Sequence, residues 1–142
     1  MGTILVVDDD LTQQLIVFKI LKKIGLNVIF ADNGVQALEM VQRYCPNLVI
    51  LDILLPGMNG YEVCRRLRSD KDTENLAVVM CSNKKEQSDR YWGIKQGADA
   101  YICKPCHPQE LINTVVYLLQ ESVTSTFVPP EVNESSFSPV MC

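Results

Sequence analysis

Asp8, Asp9 and Asp10 stand in a row directly after the apolar run Ile4 to Val7, and Asp52 directly follows a second such run, Leu48 to Leu51. Carboxylates gathered like this repel one another unless a cation sits among them. A hard ion that favours oxygen ligands, keeps part of its water and bridges to phosphate suits the set, which points to Mg2+. Zinc suits it poorly, because the only histidine, His107, has no evident coordinating partners. Ser82 follows a third apolar stretch, and its hydroxyl could donate to a phosphoryl oxygen. Lys104 follows a fourth, just before Pro105, where an ammonium would offset carboxylate and phosphate charge. Each residue alone also has a plainer reading, since strand-end aspartates form turns, a serine caps a helix and a lysine faces solvent.

For these groups to meet, the apolar runs must be neighbouring strands. Ile4 to Val7, Leu48 to Leu51, Leu76 to Met80 and Tyr101 to Cys103 are short and mostly aliphatic, with a fifth candidate at Asn27 to Phe30. Segments of helical length and period separate them, at residues 11–24, 34–44, 60–69, 86–96 and 109–121. Gly25 and Gly97 mark helix ends, Asn33-Gly34 marks a start, and Pro108 suits a first helical turn. Glu110, three residues after His107, gives half of a capping box there. Alternating units of this kind predict an α/β fold, a doubly wound five-stranded parallel sheet with helices on both faces. In such sheets ligands sit beyond the carboxyl ends of the strands, where the four acidic, hydroxyl and ammonium sites fall.

At 142 residues the chain is the size of one domain, and with 47% apolar and 21% charged residues it has the balance of a folded one. A net charge of −4 disfavours direct nucleic-acid binding, which draws on a basic surface. The start of the chain lacks a signal-peptide pattern and no apolar run approaches the length of a membrane span, so a cytoplasmic protein without membrane insertion is expected. Six cysteines without a pairing pattern read as small buried hydrophobes or surface thiols in a reducing compartment. After Glu121 the sequence turns to Ser, Thr, Pro, Val and Asn, so residues 1–121 are read as the domain and 122–142 as a flexible tail.

The ordered set Ile4 to Asp10, Asp52 with Pro56-Gly57-Met58-Asn59-Gly60, Ser82 thirty residues beyond Asp52, and Lys104-Pro105 twenty-two further on resembles the receiver domains of two-component response regulators, including the single-domain chemotaxis type. The resemblance covers residues 3 to about 120. It implies a flavodoxin-like fold with Asp52 as phosphoacceptor. It further implies Mg2+ held by Asp8, Asp9, Asp52 and the backbone carbonyl of Leu54, with Ser82 and Lys104 touching the phosphoryl group. The phosphoryl donor would be a histidine kinase or histidine phosphotransfer protein. The chemistry would be metal-dependent self-phosphorylation and autodephosphorylation, with no external substrate turned over. Leu54 and Lys84, two residues beyond Asp52 and Ser82, would tune the phosphoryl lifetime, and Lys84 would either reach the site or face solvent. Ser82 would move toward the phosphate and Tyr101 would turn inward as the switch; an edge-strand aromatic is the alternative for Tyr101. Cys81 to Lys84 and Trp92 to Tyr101 resemble receivers of type IV pilus and cyanobacterial phototaxis systems, implying a motility protein downstream.

The first helix adds a clue of its own. Ile16, Val17, Ile20, Leu21 and Ile24 are expected to face the sheet, leaving Leu11, Leu15 and Phe18 as a second apolar face beside the aspartates. That face is read as the docking site for the helical phosphodonor, the alternatives being scattered surface hydrophobes or a self-contact in a weak homodimer. Two positions depart from the commoner receiver pattern: Cys106 replaces an aromatic, and His107 replaces a better helix cap. Cys103-Lys104-Pro105-Cys106 has the form of a redox CxxC, but Lys104 is already assigned to phosphate, so packing is the preferred reading. The competing functions are a phosphate sink for a shared kinase, a constitutive interaction module that signals without phosphorylation, and a magnesium-dependent phosphomonoester hydrolase.

Overall fold

A computed structural model describes the backbone of residues 2–127 and the side chains of residues 2–120. Five strands alternate with five helices: β1 Thr3–Val7, α1 Leu11–Lys22, β2 Asn27–Ala31, α2 Gly34–Tyr44, β3 Leu48–Leu51, α3 Gly60–Ser69, β4 Ala77–Ser82, α4 Gln87–Lys95, β5 Ala100–Cys103 and α5 Pro108–Phe127. All strand pairs are parallel, in the order β2-β1-β3-β4-β5. This is the doubly wound flavodoxin-like order, in which the chain leaves β1 toward one edge and returns to build toward the other.

Side-chain alternation divides each central strand between two cores. Leu5, Val7, Val49 and Leu51 join Ala37, Val41, Val63 and Leu67 under α2 and α3. Ile4, Val6, Leu48 and Ile50 join Val17, Leu21, Leu111 and Val115 under α1 and α5. Continuous Val, Ile and Leu runs are the consequence, because both faces of the strands are covered.

Helix starts follow local chemistry. Asp10 caps α1, its carboxylate accepting the Thr12 amide at 2.9 Å. Asn33 and Asn59 likewise cap α2 and α3 through the amides of Gln36 and Glu62. Glu86 and Asp89 form a capping box at α4, and Pro108 opens α5. Gly57 has φ +73°, the left-handed turn that carries the chain from Asp52 toward α3. The Lys104-Pro105 peptide is cis.

Three sequence expectations change. Ser82 is the last residue of β4 rather than lying beyond it. α5 continues to Phe127, past Glu121, where the shift in composition put the domain edge; the remainder of the expected tail, 128–142, lies outside the described residues. On α1, the inward positions are Gln14, Val17 and Leu21. That phase leaves Ile16 40% exposed and brings Phe18 against Phe30 of β2, ring centroids 6.0 Å apart. Val17, Ile20, Leu21 and Ile24 pack against the core as expected, whereas Ile16 turns outward and the polar Gln14 is buried instead.

Candidate functional site

Asp8 leaves β1 and Asp52 leaves β3, which are adjacent in the sheet, so their backbones set the two carboxylates side by side. The Asp52 amide still donates to the Val7 carbonyl at 3.0 Å, continuing the ladder one residue past the strand. Oxygens of Asp8, Asp9 and Asp52 all lie within 4.8 Å of one another. Asp8 and Asp52 are buried while Asp9 is exposed, so the cluster opens toward solvent at Asp9. Asp10 stands apart as the α1 cap, its amide donating to the Asp8 carboxylate at 3.0 Å.

Lys104 neutralises the buried pair. Its Nζ lies 2.7 Å from Asp8 Oδ2 and 3.4 Å from Asp52 Oδ2. Burial pulls the ammonium pKa down, but the Asp8 hydrogen bond and the Asp52 and Asp8 charges outweigh it, holding the group above its ordinary value. Burial raises the Asp52 carboxyl above its ordinary value, with Lys104 opposing and Asp8 adding to the rise. Asp52 thus has a poorly solvated oxygen beside a fixed cation, an arrangement suited to a nucleophile. Its other oxygen, Oδ1, accepts the Ile53 amide at 2.8 Å, which fixes the carboxylate's orientation.

The donor set is all oxygen, and it matches a hard divalent cation rather than a soft one. His107 immediately precedes α5, its carbonyl accepting the Leu111 amide, and takes no part in the carboxylate cluster. Leu54 lies in the loop two residues after Asp52, with its side chain 57% exposed, so it offers no side-chain partner to water at the site.

Ser82 is fully buried at the end of β4, and its Oγ accepts the Lys84 amide at 3.3 Å. The Lys84 carbonyl accepts the Tyr101 phenol at 2.8 Å, so one backbone unit links Ser82 to Tyr101. Tyr101 is already turned inward, 4% exposed. Its phenol is pushed up to about 12 by burial first and by Tyr61 and Asp89 next. The Lys84 ammonium faces Asp89 of α4 at 3.7 Å and is partly exposed.

Gln14 and Arg90 were not evident as supporting residues in the sequence, and Gly60 stood there only as the end of the Pro56 to Gly60 motif. Gln14 is buried, and its amide donates to the Asp8 carbonyl at 2.7 Å and to Asp32 at 3.0 Å, bracing the aspartate loop from α1. Gly60 begins α3 directly against the Asp52 backbone; a Cβ there would overlap the Asp52 carbonyl, so only glycine lets α3 approach the acceptor so closely. Arg90 donates to the Tyr101 carbonyl at 3.0 Å and places its guanidinium 5.3 Å from the ring centroid, holding β5 against α4. Glycine and glutamine carry a signal here only through their place in the fold.

Cys103 and Cys106 do not face each other, in keeping with packing rather than a CxxC pair. Cys103 Sγ turns to Arg90 and the Lys84 carbonyl, whereas Cys106 Sγ faces Cys81 Sγ at 2.8 Å. The outer face of α1 keeps Leu11 and Leu15, 67% and 47% exposed, and loses Phe18 to the Phe30 contact.

A family model described as the response regulator receiver domain matches residues 4–116. Over 115 residues the chain is 34% identical to Protein PilH of Pseudomonas aeruginosa, covering 81% of this chain and 95% of that protein. It is 42% identical over 112 residues to the DNA-binding response regulator MtrA of Mycobacterium tuberculosis, covering 79% of this chain but only 48% of MtrA. The chain therefore spans nearly all of PilH and about half the length of MtrA. Among solved structures, a putative response regulator from Chloroflexus aurantiacus superposes with a TM-score of 0.81 at 35% identity, covering 84% of this chain and 98% of that one. With Asp8, Asp9, Asp52, Ser82 and Lys104 brought to one end of this sheet, the chain belongs to the response regulator receiver domain family, the phosphorylation switches of two-component systems.

Proposed function

We propose that Asp52 accepts the phosphoryl group from a phosphohistidine of a histidine kinase or histidine phosphotransfer protein, and that the resulting acyl phosphate drives a motility output. The observation that carries the reading is the pairing of a buried, oriented Asp52 with Lys104 beside two further carboxylates. Asp8, Asp9, Asp52 and the Leu54 carbonyl would hold Mg2+, which supplies charge neutralisation and phosphoryl orientation when bound.

In this mechanism the Asp52 carboxylate, held by the Ile53 amide, attacks the phosphorus in line while the imidazole leaves. Lys104 is preorganised to stabilise charge on an equatorial oxygen. Ser82 donates its hydroxyl hydrogen to a phosphoryl oxygen, and because its Oγ accepts the Lys84 amide while the Lys84 carbonyl accepts the Tyr101 phenol, a shift of Ser82 toward the phosphate is felt at Tyr101. The bias therefore reaches the β5 edge through one shared backbone unit. Water later attacks the phosphorus. With Leu54 apolar and Lys84 paired to Asp89, neither tuning position supplies a base, which favours a modest hydrolysis rate.

Leu11 and Leu15, joined by Ile16, form the apolar part of α1 nearest the aspartates and are the proposed docking face for the helical donor. Motility as the output draws on similarity along nearly all of PilH and on the resemblance of Cys81 to Lys84 and Trp92 to Tyr101 to type IV pilus and phototaxis receivers. Among the described residues no helix is long and apolar enough to cross a membrane; a cytoplasmic site of action follows from the proposed donor.

The test is phosphotransfer from the donor kinase to wild type and Asp52→Asn, following phosphoryl lifetime and partner capture together. Asp52-dependent label with phosphate-dependent capture supports a messenger. Rapid labelling without such capture would instead support a phosphate sink, and partner binding without label a constitutive module.

A further inference from the structure

The sulfurs of Cys81 and Cys106 face each other at 2.8 Å, although 25 residues separate them in sequence. Cys81 lies on β4 immediately before Ser82, and Cys106 follows Lys104-Pro105 in the loop after β5. Both thiols are buried, Cys81 3% and Cys106 8% exposed, in the core shared with α1 and α5. A disulfide needs the sulfurs at about 2.05 Å, so a sub-ångström approach would close the bond. The two thiols are not equivalent: the Cys81 hydrogen bond and the Lys104 charge, set against burial, hold Cys106 below its ordinary pKa. The same hydrogen bond, with burial, raises Cys81. Cys106 is therefore the attacking sulfur, and it is also the more exposed of the two.

We propose that Cys81 and Cys106 form an oxidisable dithiol whose disulfide clamps β4 to the loop after β5 and so restrains both Ser82 and Lys104. The oxidant class is a low-molecular-weight disulfide. The Cys106 thiolate attacks one of its sulfurs and releases a thiolate, giving a mixed disulfide. Cys81 then gives up its proton and attacks the Cys106 sulfur, expelling the second thiol. One external disulfide is reduced to two thiols and the protein dithiol loses two hydrogens. Disulfides in reducing compartments are mainly of this transient, sensing kind. The functional consequence rests on the receiver reading, because Ser82 and Lys104 must adjust to the phosphoryl group; the chemistry of the pair does not.

The full chain is incubated with glutathione disulfide, alkylated, digested and mapped. A peptide linking Cys81 to Cys106 is expected, persisting in Cys103→Ser and lost in Cys106→Ala. Amide exchange around Ser82 to Lys84 and Cys103 to Cys106 should slow on oxidation and recover with reductant. Phosphorylation by a small acyl phosphate should slow with it. A link from Cys103 to Cys106, or no link while the exposed thiols are modified, overturns the proposal, as does unchanged exchange in the linked protein. The mapping and exchange need no phosphorylation, so failure of Asp52 to accept phosphate would leave them readable.

Discussion

Replacing Lys104 with methionine keeps most of the side chain's length and deletes its charge, which isolates what the ammonium does for the acidic pair. At 2.7 and 3.4 Å, with an effective dielectric of about 20, its attractions to Asp8 and Asp52 come to about 6 and about 5 kcal/mol before any desolvation cost. Losing the ammonium also relieves its own burial, which offsets part of this, but two carboxylates 5% and 7% exposed are left facing each other. Breaking a buried pair in this way costs about 3 to 5 kcal/mol. Against a domain stability of about 5 to 15 kcal/mol that loss is a large fraction, so Lys104→Met should show a clearly lower urea midpoint in chelator. Adding Asp52→Asn should recover part of the loss, because it removes one of the stranded charges. Mg2+ should then stabilise Lys104→Met more than wild type, since the carboxylates have lost their built-in counter-ion. A loss below about 1 kcal/mol, the scale of an exposed ion pair, would refute the electrostatic account of the site.

Other expectations test separate parts. Gly60→Ala drives a Cβ into the Asp52 backbone and should destabilise by about 1 to 3 kcal/mol while slowing phosphoryl acceptance, measured by denaturation and by labelling with a small acyl phosphate. Tyr101→Phe removes the phenol donated to Lys84 and should cost about 1 kcal/mol, with amide exchange at Lys84 rising. Because the folded Asp52 carboxyl is held above its ordinary 3.8, its contribution to stability is full below that value and is lost as pH rises through the folded pKa. In metal-free protein, Asp52→Asn should flatten that decline, raising the urea midpoint relative to wild type toward neutral pH. Leu11→Glu with Leu15→Glu should slow transfer from the protein donor and leave the small acyl phosphate reaction unchanged; equal slowing of both would remove α1 as the docking face.

The reactive centre was legible because its residues fall where strand runs end, and the parallel order brings the ends of β1, β3, β4 and β5 to one edge. Strand-length aliphatic runs separated by helical periods specify a parallel sheet covered on both faces, while the flavodoxin-like order came only with the receiver resemblance. What escaped was whatever depended on phase or on contact between elements. On α1 the sheet-facing Val17, Ile20, Leu21 and Ile24 were legible, but Gln14 points inward to hold Asp8, Ile16 is turned outward and Phe18 meets Phe30. The Cys103 and Cys106 spacing, for which packing was preferred to a redox pair, gave no hint that the thiol facing Cys106 is Cys81. No sequence spacing encodes that pairing, because it arises from a strand and a loop that meet across the sheet. The end of α5 was likewise missed, since Ser and Thr weaken helical pattern without forbidding helix.

The central claim is that Asp52 carries the phosphoryl group. Incubating wild type and Asp52→Asn with a small acyl phosphate and Mg2+, then measuring intact mass and mapping the modified peptide, tests it most directly. One phosphoryl adduct on wild type, located at Asp52, absent from the variant and dependent on the metal, is the predicted result. An adduct of equal yield on Asp52→Asn, or one mapping to Asp8, Asp9 or Ser82, would contradict the account.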